Sequence, residues 1–329
     1  MAIPTGTSES YDFSNSIRED LEDTIWDLFP MDTWALSNLD KVKAEGTTHS
    51  WLLDSLEAAT LNTQLDGDDA SMVTVNQPLR FSNSCQISRK NFSISGTVEA
   101  TTLAGRRSEV ARQAMKQMRE LKRDIEKALV GNQGMCVGSQ TVARISAGME
   151  SYIASSDHGG NAIIATTTNA GSTIGFSSST VSAPTDGGSF GGLAQTSFNS
   201  ALLLAWTDGG DTRVILTGPT YKASIDGFTS NATRTLEVNA DPNMAIMVSS
   251  GVYISDYGNH TLVLSRYVRN SNPATVLCID PDYWATAFLR RPFMEPLAKT
   301  GDSERRQILT EFCLVARNPN SSAKVCGLT

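Results

Sequence analysis

The amino-acid sequence predicts an α+β protein in which one long helix precedes a series of short strands. Three observations support this prediction: residues 105–130 have helical spacing of apolar side chains, several segments after residue 210 are rich in strand-forming residues, and helices and strands do not alternate regularly along the chain. With 329 residues, the chain is long enough for one large domain or two ordinary ones.

The composition argues against several classes of protein. The longest uninterrupted apolar run spans residues 201–206, far short of the ~20 residues that cross a bilayer, and no secretory signal is recognisable at residues 1–7. The five cysteines show no C-x-x-C spacing and the three histidines lie far apart. We therefore expect reduced, packed cysteines, and neither a disulfide framework, a metal site nor a cofactor.

The charge is distributed unevenly along the chain. Residues 1–72 contain fifteen acidic and three basic residues, a net charge of −12, and the total of −8 leaves +4 for residues 73–329. An overall negative charge repels phosphate, so the sequence argues against a nucleic-acid-binding module.

A short amphipathic helix is predicted near the N-terminus, ahead of Pro30. Ser16 and Glu19 match a capping box at its start. Its apolar face has no partner within the next twenty residues, and two interpretations stay open: a surface helix on the main core, or an arm that packs on a neighbouring subunit. The apolar residues of this face are Ile17, Leu21, Ile25, Leu28 and Phe29.

Residues 72–98 are predicted to form a long two-stranded excursion. Apolar residues alternate with Ser, Thr and Asn over residues 72–98, as in strands with solvent on one side. A two-stranded ribbon is marginally stable alone, so we expect a neighbouring copy to cover it. The acidic turn at residues 66–69 lacks the full register of a calcium loop.

The long helix predicted over residues 105–130 ends at Gly131. Its polar face carries eight basic and four acidic residues when Arg106 and Arg107 are included. The ordinary interpretation is a solvated helix face. The functional interpretation is a basic surface that attracts the acidic arm of another copy or nucleic acid.

The remainder of the chain changes in composition. Residues 155–192 contain 22 Gly, Ser or Thr residues among 38, which indicates either a linker or a subdomain of short strands. A second helix is predicted over residues 197–205. Strands are predicted at residues 214–216, 236–238, 245–248, 252–254, 262–264, 276–279 and 312–315.

One enzyme motif occurs in this second half. Residues 187–191 read G-x-S-x-G around Ser189, the pattern of a hydrolase nucleophile. No apolar strand precedes it, and His260 is the only downstream histidine available as a base. A catalytic site is therefore not favoured.

The order of these segments resembles the major capsid protein of tailed bacteriophages, which has the Hong Kong 97-type fold. Residues 29–34 (FPMDTW) are similar to the segment that ends the arm in that family, and residues 106–132 resemble its spine helix. The resemblance covers nearly the whole chain. It is also carried by residues 49–56 and 66–69 at the start of the loop, and by residues 279–284, 289–293, 297–302 and 311–319, which are similar to peripheral-domain strands of a podovirus- and siphovirus-associated family.

The resemblance implies a division of the chain and a set of partners. The expected parts are an N-terminal arm (1–45), an extended β-hairpin loop (46–102), a peripheral domain with the spine helix (103–147), an axial domain (148–258) and C-terminal peripheral strands (259–329). Such a protein is not an enzyme. It assembles in the host cytoplasm into the pentamers and hexamers of an icosahedral virion head around double-stranded DNA, with portal and scaffold or decoration proteins as partners, weak sequence-independent DNA contact and no membrane.

We hypothesise that the acidic arm of one copy meets the basic face of the long helix of another. Candidate contacts between copies are Ile17, Leu21, Trp26, Phe29 and Trp34 in the arm, Trp51 in the loop, and Lys116, Arg119 and Arg123 on the helix. The alternatives are an encapsulin-like shell around a cargo enzyme, a serine hydrolase around Ser189 and a nucleic-acid-binding module.

Overall fold

A computed structural model of the chain describes residues 32–54, 56–57, 59–67, 69, 72, 75, 77–103, 105–153, 162–164, 176–177, 180–184, 191–228, 251–271 and 273–329. The predicted arm helix, the strands predicted at residues 236–238 and 245–248, and Ser189 lie outside these residues. Everything below refers to the described part.

The two helices predicted after residue 100 are confirmed. The long one begins at Glu109 because Ser108 caps it, its hydroxyl accepting a hydrogen bond from the Ala111 N–H at 3.3 Å. It runs for 22 residues, about 33 Å. The helices are α1 (Trp34–Asn38), α2 (Gly96–Ala100), α3 (Glu109–Val130), α4 (Met149–Ile153), α5 (Gln195–Thr207) and α6 (Pro219–Asp226).

The predicted strands that fall on described residues are also confirmed, although the last one is much longer than expected. The strands are β1 (Asp40–Lys43), β2 (Thr48–Leu53), β3 (Leu79–Ser84), β4 (Gln86–Ser95), β5 (Ala162–Ile164), β6 (Phe176–Ser177), β7 (Thr180–Val181), β8 (Val214–Thr217), β9 (Val252–Ser255), β10 (Gly258–Leu264), β11 (Ala274–Ile279), β12 (Trp284–Pro296), β13 (Ser303–Ala316) and β14 (Ala323–Leu328).

A four-stranded sheet has the order β1-β12-β13-β4. The long strands β12 and β13 form an antiparallel hairpin, β1 lies parallel to β12, and β4 lies antiparallel to β13 from Gln86 to Ser95. The expectation that residues 72–98 form a two-stranded ribbon is therefore wrong for β4, while a contact with another copy stays a prediction. The partner of β4 is a strand of the same chain more than 200 residues away, which no local pattern reveals.

A six-stranded mixed sheet has the order β5-β14-β11-β8-β10-β9. It combines strands from both sides of the boundary predicted at residue 258, since β8 pairs with β10 and with β11. Every side chain of β11 and β14 is buried, as expected for strands covered on both faces.

Helix α3 packs on one face of the four-stranded sheet and forms the main core with it. Leu121, Ile125 and Leu129 of the helix join Ile308 and Phe312 of β13 in one buried cluster. The alternate residues of β13 point to the other face of the sheet. There Cys313 and Val315 pack among Ala44, Ala285, Ala287 and Cys85.

Candidate assembly surface

Strands β2 and β3 bring together the two ends of residues 54–78, which we call the extension loop. The strands pair antiparallel from Thr48↔Ser84 to Leu53↔Leu79. Trp51 fixes this base to the core: its indole N–H donates to the Ala316 carbonyl at 2.7 Å, and its ring lies 6.3 Å from the Phe81 ring. The base of the loop is thus a rigid part of the fold.

The extension loop itself carries large apolar side chains that its own chain leaves in solvent. The exposed fractions are 100% for Leu56, 91% for Leu61, 81% for Leu65, 95% for Met72 and 88% for Val75. Single exposed apolar residues are common on proteins, but a concentrated set of them marks an interaction site. This loop is the strongest candidate for a contact between molecules.

Helix α1 joins the start of the described chain to α3. The backbone N–H groups of Ala35 and Leu36 each donate to the Glu126 carboxylate at 2.8 Å. Burial raises the pKa of Glu126, partly offset by these hydrogen bonds, which favour the carboxylate. The described part of the chain therefore begins beside the long helix.

The exposed face of α3 is basic, although less so than predicted. Arg106 and Arg107 precede the helix, so the helix itself contains six basic and four acidic residues, a surplus of two rather than four. Lys116 and Arg119 are exposed. Arg123 is half-buried, and its Nε donates to the Tyr267 hydroxyl at 2.8 Å.

The structure separates the candidate contact residues into groups. Ile17, Leu21, Trp26 and Phe29 lie outside the described residues, so their role stays a prediction. Trp34 and Trp51 are half-buried against the chain's own core. The three basic residues of α3 lie on the helix, as predicted from its spacing, and Arg123 donates to Tyr267 of the same chain.

Sequence reasoning missed two features of this surface. Glu126 belongs to a helix expected to be solvated on its polar face, and nothing in its spacing indicates two backbone donors from residues 35 and 36. The leucines of the extension loop lack a regular period, so they gave no secondary-structure signal. Their concentration in a segment of turn-forming and acidic residues was the one sequence feature that could have indicated a contact surface.

Buried charges tie helix α4 to the six-stranded sheet, away from this surface. The Arg269 guanidinium Nε lies 3.1 Å from both carboxylate oxygens of Glu150, whose side chain is fully buried. The Lys324 ammonium, also fully buried, donates to the Glu150 carbonyl at 3.2 Å. Burial of a charge is costly unless it is paired, so this cluster is a fixed part of the interior.

One serine–histidine contact occurs among the described residues. The Ser255 hydroxyl lies 2.6 Å from Nε2 of His260, which is buried in the β9–β10 hairpin. The same hydroxyl accepts a hydrogen bond from the Tyr257 N–H at 3.1 Å. These contacts close the hairpin turn.

The described ranges contain neither a metal-binding cluster nor a membrane-spanning helix. No group of three or more His, Cys, Asp or Glu residues lies close enough there to hold a metal ion. None of the helices in these ranges is long and apolar enough to cross a membrane.

Comparison with protein families gives one match over almost the whole chain. A family model described as "SU10 major capsid protein" matches residues 4–329. The major capsid protein of Escherichia phage Phieco32 is 34% identical over 134 residues, which are 40% of this chain and 38% of that protein. The chain thus matches well under half of that relative's length.

Comparison with solved structures supports the same fold. The capsid of a native GTA particle aligns with a TM-score of 0.65 at 9% identity, covering 99% of this chain and 100% of that one. Microbacterium phage Oxtober96 aligns with a TM-score of 0.60 at 13% identity, covering 97% and 98% of the two chains. Mycobacterium phage Bobi aligns with a TM-score of 0.60 at 8% identity, covering 98% of each. At these identities the likeness concerns the fold, and it confirms the predicted Hong Kong 97-type architecture.

Proposed function

The chain belongs to the SU10 major capsid protein family, and from this premise we propose that its copies assemble into the closed shell of a phage head. The observation that carries the proposal is the set of five large apolar side chains exposed on the extension loop. Burying a leucine side chain contributes on the order of 1.5–3 kcal/mol. Because another copy must cover the loop for these side chains to be buried, the free energy of their burial favours assembly.

The shell is proposed to consist of pentamers and hexamers around double-stranded DNA. The division of the chain into arm, extended loop, peripheral and axial parts carries over as part of this proposal. One change is supported by the strand pairing: residues 40–43 belong to the four-stranded sheet, so the arm ends before them. The β10, β11 and β14 strands share a sheet with the proposed axial segment.

Further partners follow from the same role. A portal protein, scaffold or decoration proteins and packaged DNA are the expected ones, with assembly in the host cytoplasm. DNA contact would be weak and independent of sequence, because the chain carries a net charge of −8. The role is structural and requires no chemistry from Ser189.

The extension loop gives the most direct test. Replacing both Leu61 and Leu65 by Ser removes two exposed apolar side chains and should abolish or strongly reduce closed particles, as counted by electron microscopy of the purified chain. The matched control replaces Asn62 and Gln64, polar neighbours in the same loop, by Ser and should assemble normally. Normal particles from the leucine variant would contradict the role of the loop.

The basic face of α3 gives a second test, directed at the acidic segment of residues 1–31. Reversing Lys116 and Arg119 to Glu should block assembly while the free chain stays folded, and replacing both by Gln should weaken it less, because charge is removed but not reversed. Arg123 is left unchanged because it donates to Tyr267.

The same arm contact should weaken in high salt, since exposed charges are screened beyond ~8–10 Å near physiological ionic strength. Assembly of the reversed variant at normal yield would exclude this pairing.

The encapsulin-like and hydrolase alternatives have their own observable consequences. A shell that encloses an enzyme would contain protein rather than nucleic acid after purification from its source. A hydrolase would lose esterase activity on Ser189→Ala. The family match favours neither alternative.

A further inference from the structure

Two cysteines face each other where β3 passes into β4 of the four-stranded sheet. Cys85 links β3 to β4, and Cys313 lies in β13. The last paired residues of β4 and β13 are Gln86 and Phe312, so positions 85 and 313 are the next opposite pair. Opposite residues in antiparallel strands have Cα atoms ~4.5–5.5 Å apart, within the range that a disulfide requires.

The two thiols are in contact. Their sulfur atoms are 3.5 Å apart, and both side chains are fully buried. The buried cluster around them consists of Ala44, Ala285, Ala287 and Val315. Given this Cα separation, closing the remaining gap to the ~2.05 Å of an S–S bond requires rotation of these two side chains rather than movement of the backbone.

The surroundings give the two thiols different chemistry. The hydrogen-bond contact between the two thiols, helped by the nearby Arg144 guanidinium, lowers the pKa of Cys85 despite burial and the Glu311 carboxylate. The same hydrogen bond and burial raise the pKa of Cys313 far above its usual value. Burial alone raises the pKa of Cys278 to about 12. Cys85 is therefore the better nucleophile, and Cys313 is a resolving thiol.

We propose that Cys85 and Cys313 are an oxidation site at which a small peroxide converts the facing thiols into a disulfide. In the first step the Cys85 thiolate attacks one peroxide oxygen, the O–O bond breaks and Cys85 becomes a sulfenic acid. The departing hydroxide takes a proton and leaves as water. In the second step the Cys313 sulfur attacks the sulfenic sulfur, and the hydroxyl leaves with the Cys313 proton as a second water. Two thiols are oxidised by two electrons and one peroxide is reduced.

The bond would have a defined mechanical consequence. It would join residues 228 positions apart in the sequence and would tie the β3–β4 junction to β13. That junction is already held on its other side, where the Cys85 N–H donates to the Thr47 carbonyl at 2.7 Å. Cysteine thiols are kept reduced in the cytosol, whereas disulfides persist on virions outside the cell. Given the proposed capsid role, the two cysteines would therefore be oxidised after release from the host.

Peptide mapping after peroxide treatment tests the proposal on the full chain. We expect a cross-linked peptide pair containing Cys85 and Cys313, lighter by two hydrogen atoms than the reduced pair, and its loss after dithiothreitol. Thermal unfolding of the oxidised chain should shift upward on the order of 5 °C, because a long loop is closed in the unfolded state. Mapping works on unassembled chain, so its result is independent of shell formation.

Three variants control the chemistry. Cys85→Ala and Cys313→Ala should each abolish the cross-link and the thermal shift, whereas Cys278→Ala, at another buried cysteine, should leave both unchanged. Recovery of sulfinic or sulfonic acid at Cys85 without the cross-link would overturn the proposal. So would a cross-link from Cys85 to any other cysteine.

Discussion

Two regions differ in the exposure of their large apolar side chains. The first is the four-stranded sheet together with α3, and the second is the extension loop. Phe312 in β13 and Trp284 in β12 are completely buried, while Leu56 and Met72 in the loop are at least 95% exposed. The first region satisfies its apolar surface within one chain, and the second region does not. The difference indicates that the sheet sets the stability of the monomer and that the loop contributes stability only after association.

The largest effect on monomer stability is expected in the sheet. Phe312→Ala would leave a cavity beside α3 and reduce the unfolding free energy by about 3–5 kcal/mol, measured by urea unfolding of the unassembled chain. A loss below about 1 kcal/mol would remove the proposed contrast between the two regions.

The buried pair of Glu150 and Arg269 should be similarly sensitive. Arg269→Ala strands a fully buried carboxylate and should cost about 3 kcal/mol or more. The control is Arg317→Ala, which removes an exposed pair with Asp40 at 2.9 Å and should cost about 0–1 kcal/mol. Equal losses in the two variants would contradict the burial argument.

A smaller, pH-dependent effect is expected at the α1–α3 junction. Because the pKa of Glu126 is raised in the folded chain, the folded state favours the protonated carboxyl. This contribution to stability is full below the unfolded pKa and is lost as pH rises through the raised folded pKa. The difference in unfolding free energy between the natural chain and Glu126→Gln should therefore fall with rising pH in urea titrations. A difference that stays constant or increases would refute this assignment.

The smallest effect is expected in the loop. Leu61→Ser in the unassembled chain should change the unfolding free energy by less than about 0.5 kcal/mol, because the side chain is 91% exposed. Urea unfolding of this variant beside Phe312→Ala compares the two regions directly. A large loss would mean that the loop already packs within the monomer.

Periodicity in the sequence was enough to predict the elements whose neighbours are local. The spacing of Leu121, Ile125 and Leu129 defines the buried face of α3, and the apolar runs after residue 210 locate β8 to β11. Strand β1 was missed because its sequence, Asp-Lys-Val-Lys, is mostly charged and exposed. The pairing of β4 with β13 was missed for another reason: long-range strand register leaves no trace in a single sequence.

The candidate assembly surface was predictable only in part. The basic residues of α3 follow from helical spacing, since charges opposite an apolar stripe face outward. Trp51 was expected to contact another copy, but its indole N–H is used by the Ala316 carbonyl, a partner 265 positions away in the sequence. Contacts of this kind depend on tertiary structure and cannot be derived from composition.

The parallel pairing of β1 with β12 determines when the four-stranded sheet can be completed during synthesis of the chain. Residues 40–43 meet residues 285–288, and a ribosome adding ~5–20 residues per second needs on the order of 10–50 s to make the intervening chain. During that interval β1 has no strand to pair with, and the four-stranded sheet that α3 covers is not yet complete. The hydrogen bond from Trp51 to the Ala316 carbonyl, which anchors the base of the extension loop, therefore forms only when the last part of the chain has been made.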